Sequence, residues 1–275
     1  MTWFDALVAI VSVVAAAIAS VAGFGIGSLL TPAFGLRVST NVAVAAVSIP
    51  HLAGTALRFW MMRKSVDRRV LLSFGLTSAA GGLTGALLQH WTGSASLTIV
   101  FGGVLLFVAA SEFTGLARRM RFTGVAAWIA GAVSGLLGGL IGNQGGIRSA
   151  ALLGFDVRKD AFVASATAVG LIVDGARMPV YLVTERRDVF AIWPLVAIAV
   201  GGVVIGTLFG RRALERIPES RFRAVVAAVL AALGSAMLVK GALALTWGTG
   251  SKRSGERWGV SPKLLSSCEM CSLSA

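Results

Sequence analysis

The sequence predicts an all-α integral membrane protein of about eight transmembrane segments, in two repeated four-segment halves that each open on a broken helix. Three observations carry this. Of 275 residues, 56% are hydrophobic and 13% charged, with mean hydropathy +0.83; soluble domains carry roughly 25% charge. The charges gather in short clusters between apolar runs of about 20 residues, the length at which an α-helix crosses a ~30 Å hydrocarbon core. Two of those runs are too long for one crossing, and both are interrupted by glycines. A barrel strand would instead alternate polarity over ~10 residues. Val203, Val204 and Ile205 follow one another without a polar residue, so helices are the reading.

The first segment covers residues 3–36. Met1 to Ser20 has no basic stretch like that of a signal peptide, its one early charge being Asp5, and reads as a retained membrane segment. As a single helix, residues 3–36 would be ~51 Å long, so the run Gly23-Phe24-Gly25-Ile26-Gly27 with Pro32 downstream reads as a break. Segments two to four cover 42–62, 70–88 and 97–116. The fifth, 125–155, is again too long and carries Gly138-Gly139-Leu140-Ile141-Gly142-Asn143-Gln144-Gly145-Gly146. Segments six to eight cover 161–183, 189–209 and 222–247. A polar tail, 248–275, is expected to be disordered.

Both broken segments open a block of four, which suggests a duplication with repeats at 1–120 and 121–247. At an offset of 119, Gly27 pairs with Gly146, Gly35-Leu36 with Gly154-Phe155, Val38 with Val157 and Arg58 with Arg177. Gly81-x-x-x-Gly85 then matches Gly202-x-x-x-Gly206 at 121. Small residues at that spacing let helix backbones approach closely, so these glycines are expected to line helix seams.

A broken helix inside the bilayer exposes backbone donors and acceptors, which are tolerated only against protein or a watery cavity. A half-helix N-terminus suits an anion, and glycine lets a ligand approach the backbone. The candidate substrate-binding residues are therefore Gly25, Gly27, Ser28, Asn143, Gln144, Gly145, Gly146 and Arg148. Arg148 is a charge expected to lie deep in the membrane, at a cost of at least ~2.5–3.5 kcal/mol; it either grips an oxyanion through two parallel bonds or snorkels to the surface. Arg58 and Arg177 read as snorkelling residues first and substrate contacts second. Asp174, one turn before Arg177, either neutralises it or carries a coupling proton. His51 is the other protonation candidate, against the plainer reading of a hydrogen-bonded packing residue.

The net charge of +13 would suggest nucleic acid in a soluble protein, but no basic stretch carries interleaved aromatics; Lys and Arg here mark cytoplasmic loops and lipid headgroups. Cys268-x-x-Cys271 is half a zinc site at most, so no metal or other cofactor is expected. The two histidines, His51 and His90, stand in no H-E-x-x-H pattern, and neither a G-x-S-x-G turn nor a P-loop is present, which argues against an enzyme. Two topologies stay open. Eight full crossings place both termini inside and strand Arg211, Arg212, Arg216, Arg221 and Arg223 outside, against the positive-inside rule. If segments one and five dip in and return, the halves are inverted, that loop is inside and the tail outside; this arrangement is preferred.

At Gly25-Ile26-Gly27-Ser28-Leu29-Leu30-Thr31-Pro32 and Gly142-Asn143-Gln144-Gly145-Gly146-Ile147-Arg148-Ser149 the chain resembles the sulfite exporter TauE/SafE family of membrane permeases, over roughly residues 5–246. Phe24 and Ile26 interrupt the glycine run of the first copy, and Arg148 stands where the family usually has an apolar residue. The resemblance implies a multi-pass inner-membrane permease for a small sulfur-containing anion, sulfite or an organosulfonate, in the export direction. Its partners would be that anion and membrane lipid, with a homo-oligomer left open. The competing expectation is a non-transporting membrane scaffold or assembly factor.

Overall fold

The computed structural model describes residues 2–116, 124–142, 145, 148, 152, 159–214 and 219–257, and these residues fold into helices alone. In chain order they are α1 (Trp3–Ala22), α2 (Ile26–Phe34), α3 (Thr40–Met62), α4 (Arg68–Trp91, with a π-turn at Leu71–Gly75), α5 (Ser94–Thr114), α6 (Val125–Ile141), α7 (Lys159–Thr184), α8 (Arg186–Ala191), α9 (Trp193–Leu214) and α10 (Glu219–Arg257). Seven are long and apolar enough to cross a membrane, and α6 is a shorter apolar helix. α10 runs to Arg257, past the point where the polar tail was expected to begin.

The first break lies where the glycines put it. Thr2 caps α1, with Asp5 reaching back to the Thr2 amide. Gly23 ends the helix in the left-handed region at φ 78°, its N–H bonding to the Ala19 carbonyl. Gly142 ends α6 in the same way, at φ 73°, its N–H on the Gly138 carbonyl. An L side chain at either position would be strained. The two terminators stand 119 residues apart, as do the two carbonyls they bond.

After Gly23 the chain turns back. α2 packs along α1, and the Arg37 guanidinium lies 4.3 Å from the Phe4 ring centre and 5.6 Å from that of Trp3. Segment one therefore enters and returns to the end where it began. That same end holds the start of α3, the end of α4 and the start of α5: Thr40 N donates to Ser94 Oγ, and Asn41 Nδ2 to the carbonyls of Gln89 and Thr92. Lys240, late in α10, reaches the Gly35 carbonyl there too. The opposite end holds the start of α4 and the first turns of α7, where Asp67 N donates to Ser165 Oγ.

Helix directions follow from which glycines meet which residues. Gly131 faces Phe74 and Thr77, Gly135 faces Ser78, and Gly139 faces Gly82 and Ala86, so α6 runs parallel to α4. Gly202 meets Ala9 and Ser12, Gly206 meets Val13, and Gly210 meets Ala17, so α9 runs parallel to α1. Gly102 meets Gly234 and Leu238 while Gly241 meets Ile99, so α5 and α10 are antiparallel. The expected seams are present: a Cβ on Gly81, Gly85 or Gly206 would lie 2.1–2.2 Å from a facing carbonyl oxygen, and only glycine permits that approach. The principal pairings are α1 with α9, α6 with α4, α3 with α7 and α5 with α10. Exchanging residues before 117 for those after 123, segment by segment, maps this set onto itself.

α6 and α7 both start at the end opposite Trp3. The described helix ends at that side carry Arg63, Lys64, Arg68, Arg69, Arg212 and Arg221. The positive-inside rule would put such a basic end in the cytoplasm, as the preferred inverted arrangement expects. A reporter fused after Trp247 is expected outside, in accessibility labelling of intact cells; labelling only after permeabilisation would reverse the orientation.

Candidate functional site

The described polar residues among those picked out by sequence converge where the two breaks meet. Gly27 of α2 abuts the Gly142 carbonyl, since a Cβ there would lie 2.2 Å from that oxygen and 4.0 Å from the His51 ring. Gly145 abuts Phe24, with 2.1 Å between a built Cβ and the Phe24 Cβ. Glycine at 27 and 145 is thus required by the chain's own packing. Gly25, at φ 141°, starts α2, and Ser28 is buried in its first turn. Asn143, Gln144 and Gly146 lie outside the described residues.

Around this crossing sit five ionisable side chains, all buried. Arg58 is 4% exposed, Arg148 3%, Arg177 1%, Asp174 0% and His51 8%. The expectation that Arg58 and Arg177 snorkel is therefore wrong; neither reaches a surface. Arg58, on α3, donates through Nη1 to the Ala19 carbonyl, and Arg177, on α7, through Nη1 to the Gly138 carbonyl. These are the same carbonyls that accept from Gly23 and Gly142. Each arginine places positive charge at the negative end of its own half's first helix, the favourable sign. Arg148 follows the second break but donates through Nη2 to the Gly23 carbonyl of the first, at 3.2 Å.

One carboxylate stands among the three guanidiniums and bonds to one of them. Asp174 Oδ1 accepts from Arg177 Nε at 3.0 Å and Nη2 at 2.8 Å. Its Oδ2 accepts from His51 Nδ1 at 2.6 Å and Thr55 Oγ1 at 3.0 Å. The Asp174–Arg177 pair expected from spacing is made, and His51 is bound to it from α3. With His51 neutral, three arginines face one carboxylate, which leaves two buried positive charges without a protein counter-ion among the described residues. Among the described residues, three guanidinium nitrogens, Arg58 Nε, Arg148 Nε and Arg148 Nη1, have no hydrogen-bond partner, nor has the buried Thr31 hydroxyl. Buried cations are stable only when paired, so the arrangement is suited to receive an anion.

Sequence reasoning missed Thr55, Tyr181 and Gly170. Tyr181 donates to the Gly139 carbonyl, completing the cap that Arg177 begins; as the one tyrosine in the chain, a turn after Arg177, it had a signal. Gly170 makes room for Arg148, since a Cβ there would lie 2.9 Å from Nη1. Thr55 would have been found by extending the 119 offset one turn back from Arg58, onto Asp174.

The chain resembles a Cupriavidus necator protein described as "Probable sulfite/organosulfonate exporter TauE", with 26% identity over 236 residues, covering 80% of this chain and 88% of the relative. No solved structure matches it. The family described as sulfite exporter TauE/SafE matches residues 8–237, a span that takes in both helix breaks and Arg58, Arg148, Arg177, Asp174 and His51. With its seven membrane-length helices, the chain is a multi-pass membrane transporter rather than an enzyme, and it belongs to the sulfite exporter TauE/SafE family.

Proposed function

We propose that the protein is a secondary permease of the inner membrane that moves a small sulfur-containing oxyanion, sulfite or an organosulfonate first, out of the cytoplasm. The observation that carries this is the central charge imbalance: three buried guanidiniums against one carboxylate, with three N–H-bearing nitrogens unpartnered. Guanidinium forks match the tripod of oxygens on sulfite or a sulfonate through paired, charge-assisted bonds. Among the described residues there is no cluster of His, Cys, Asp or Glu that would hold a metal cation. Export agrees with the name of the relative and with energetics: an interior-negative membrane favours outward movement of an anion by ~2.3 kcal/mol per charge per 100 mV.

The architecture that supports it is a pair of inverted repeats, residues 1–120 and 121–247, each with a re-entrant first segment. Such repeats place substrate at their interface near the bilayer midplane, reached from either side in turn as one repeat rocks against the other. The test is flux of labelled sulfite and of a sulfonate in proteoliposomes holding the purified full-length protein. Saturable flux, faster when the potential drives the anion out of the compartment facing the basic end, is expected. No flux of either anion in either direction would overturn the substrate class.

A further inference from the structure

The two halves hold their helix-end arginines in different company. Arg177 has its counter-ion one turn earlier on the same helix, Asp174, which accepts two of its bonds. The 119 offset puts Thr55 where Asp174 stands and Arg58 where Arg177 stands. Among the described residues no carboxylate bonds to Arg58, and its Nε has no partner. The same offset puts Arg148 opposite Leu29, so the first half's missing negative charge is accompanied by an added positive one. Arg58 and Arg148 hold carbonyls one turn apart at the end of α1, those of Ala19 and Gly23. The unpartnered Arg148 Nη1 lies beside Gly170, and the built Cβ of Gly170 is 3.7 Å from Thr55 Cγ2, so Thr55 and Arg148 border one small region. Two like charges left buried together are costly, and the carboxylate near them, Asp174, is already bonded to Arg177, His51 and Thr55.

We propose that the transported oxyanion binds between Arg58 and Arg148, beside Thr55, at the place where the other half carries the Asp174 carboxylate. The substrate there supplies the negative charge that the first half lacks. Its oxygens accept from Arg58 Nε and from Arg148 Nε and Nη1, while both arginines keep their bonds to the end of α1 and so fasten the bound anion to the re-entrant tip. This inference rests on the anion-transport reading. It differs from a site built on the glycine backbones, because it requires the Arg58 side chain, and it makes Asp174 a fixed internal counterpart of the ligand.

Thermal unfolding of the full-length protein in detergent, with sulfite or methanesulfonate against chloride at equal ionic strength, tests it, because a ligand that binds only the folded state raises Tm. Both sulfur anions are expected to raise the wild-type Tm. Arg58→Lys keeps a reduced shift and Arg58→Gln loses it. Gly170→Asp, which sets a carboxylate against Arg148 in place of the ligand, loses it as well. A structural role for Arg58 would lower the Tm in chloride yet leave the anion shift intact. If Arg58→Gln does not fold, Gly170→Asp decides. A wild-type shift retained by either folded variant overturns the placement alone. Absence of any shift in the wild type overturns the placement and the sulfur-anion reading together.

Discussion

Arg148→Ala is expected to abolish sulfur-anion flux while leaving the protein inserted and folded. In the proposed site the variant removes two charge-assisted bonds to the ligand, each about 1.5–3 kcal/mol, so flux at low substrate falls by at least about a hundredfold. The folded state loses one bond, to the Gly23 carbonyl at 3.2 Å, and is relieved of a buried charge that costs at least ~2.5–3.5 kcal/mol in a membrane. Its Tm without anion therefore stays at the wild-type value or rises. Arg148→Lys restores part of the flux, since an ammonium supplies charge but not the planar pair of donors. Initial rates in proteoliposomes, read beside Tm, separate the two effects. Wild-type flux in folded Arg148→Ala would remove Arg148 from the site.

The second large effect is on folding. Gly139→Leu is expected to prevent recovery of folded protein, and Gly139→Ala to destabilise it by about 3 kcal/mol. A Cβ at 139 would lie 2.0 Å from the Gly82 carbonyl oxygen and 2.7 Å from the Ala86 nitrogen. These are backbone atoms, so relief requires moving α6 away from α4. Gly135, with its built Cβ 2.0 Å from the Ser78 oxygen, should behave alike, and the two alanines together worse than either. Gly103, Gly175 and Gly201 are the contrast: nothing lies within 4 Å of a Cβ there. Alanine at those sites should be neutral or gain up to ~1 kcal/mol of helix propensity. Size-exclusion profiles and melting in detergent read both series. A monodisperse Gly139→Leu protein melting like wild type would mean that this seam does not hold the bundle together.

The helices and their breaks were legible because they depend on local chemistry. Length and apolarity give the crossings, and an apolar run too long for one crossing, interrupted by glycines, gives the break. The seams were legible for a related reason, since small residues four apart have one common use between membrane helices. Arg58 and Arg177 were not. From sequence they lie near the ends of apolar runs, where a long basic side chain usually reaches water. Their actual partners are the backbone carbonyls of Ala19 and Gly138, each 39 residues away, and a carbonyl leaves no mark in a sequence. The convergence of His51, Thr55 and Asp174 was hidden as well, because it depends on α3 crossing α7 from opposite halves. The 119 offset carried a hint that stopped one turn short: continued from Arg58 to Thr55, it lands on Asp174, which Thr55 contacts.

The pairing of α1 with α9 governs how the protein can be made. α1 leaves the ribosome first, and the helix whose Gly202, Gly206 and Gly210 admit its backbone begins only at Trp193. At ~5–20 residues per second, about 10–40 s of synthesis separate them. Through that interval the face of α1 that carries Ser12, buried in the finished protein, has only lipid or a chaperoning insertase against it. α6 is better placed, because α4 is already in the membrane when it emerges. Assembly of the first half is thus completed from the second, and a chain stopped before Trp193 has a full set of early helices and no closed core. Truncations before Trp193 and after Leu214 should part sharply, into chains cleared by membrane proteases and chains that persist.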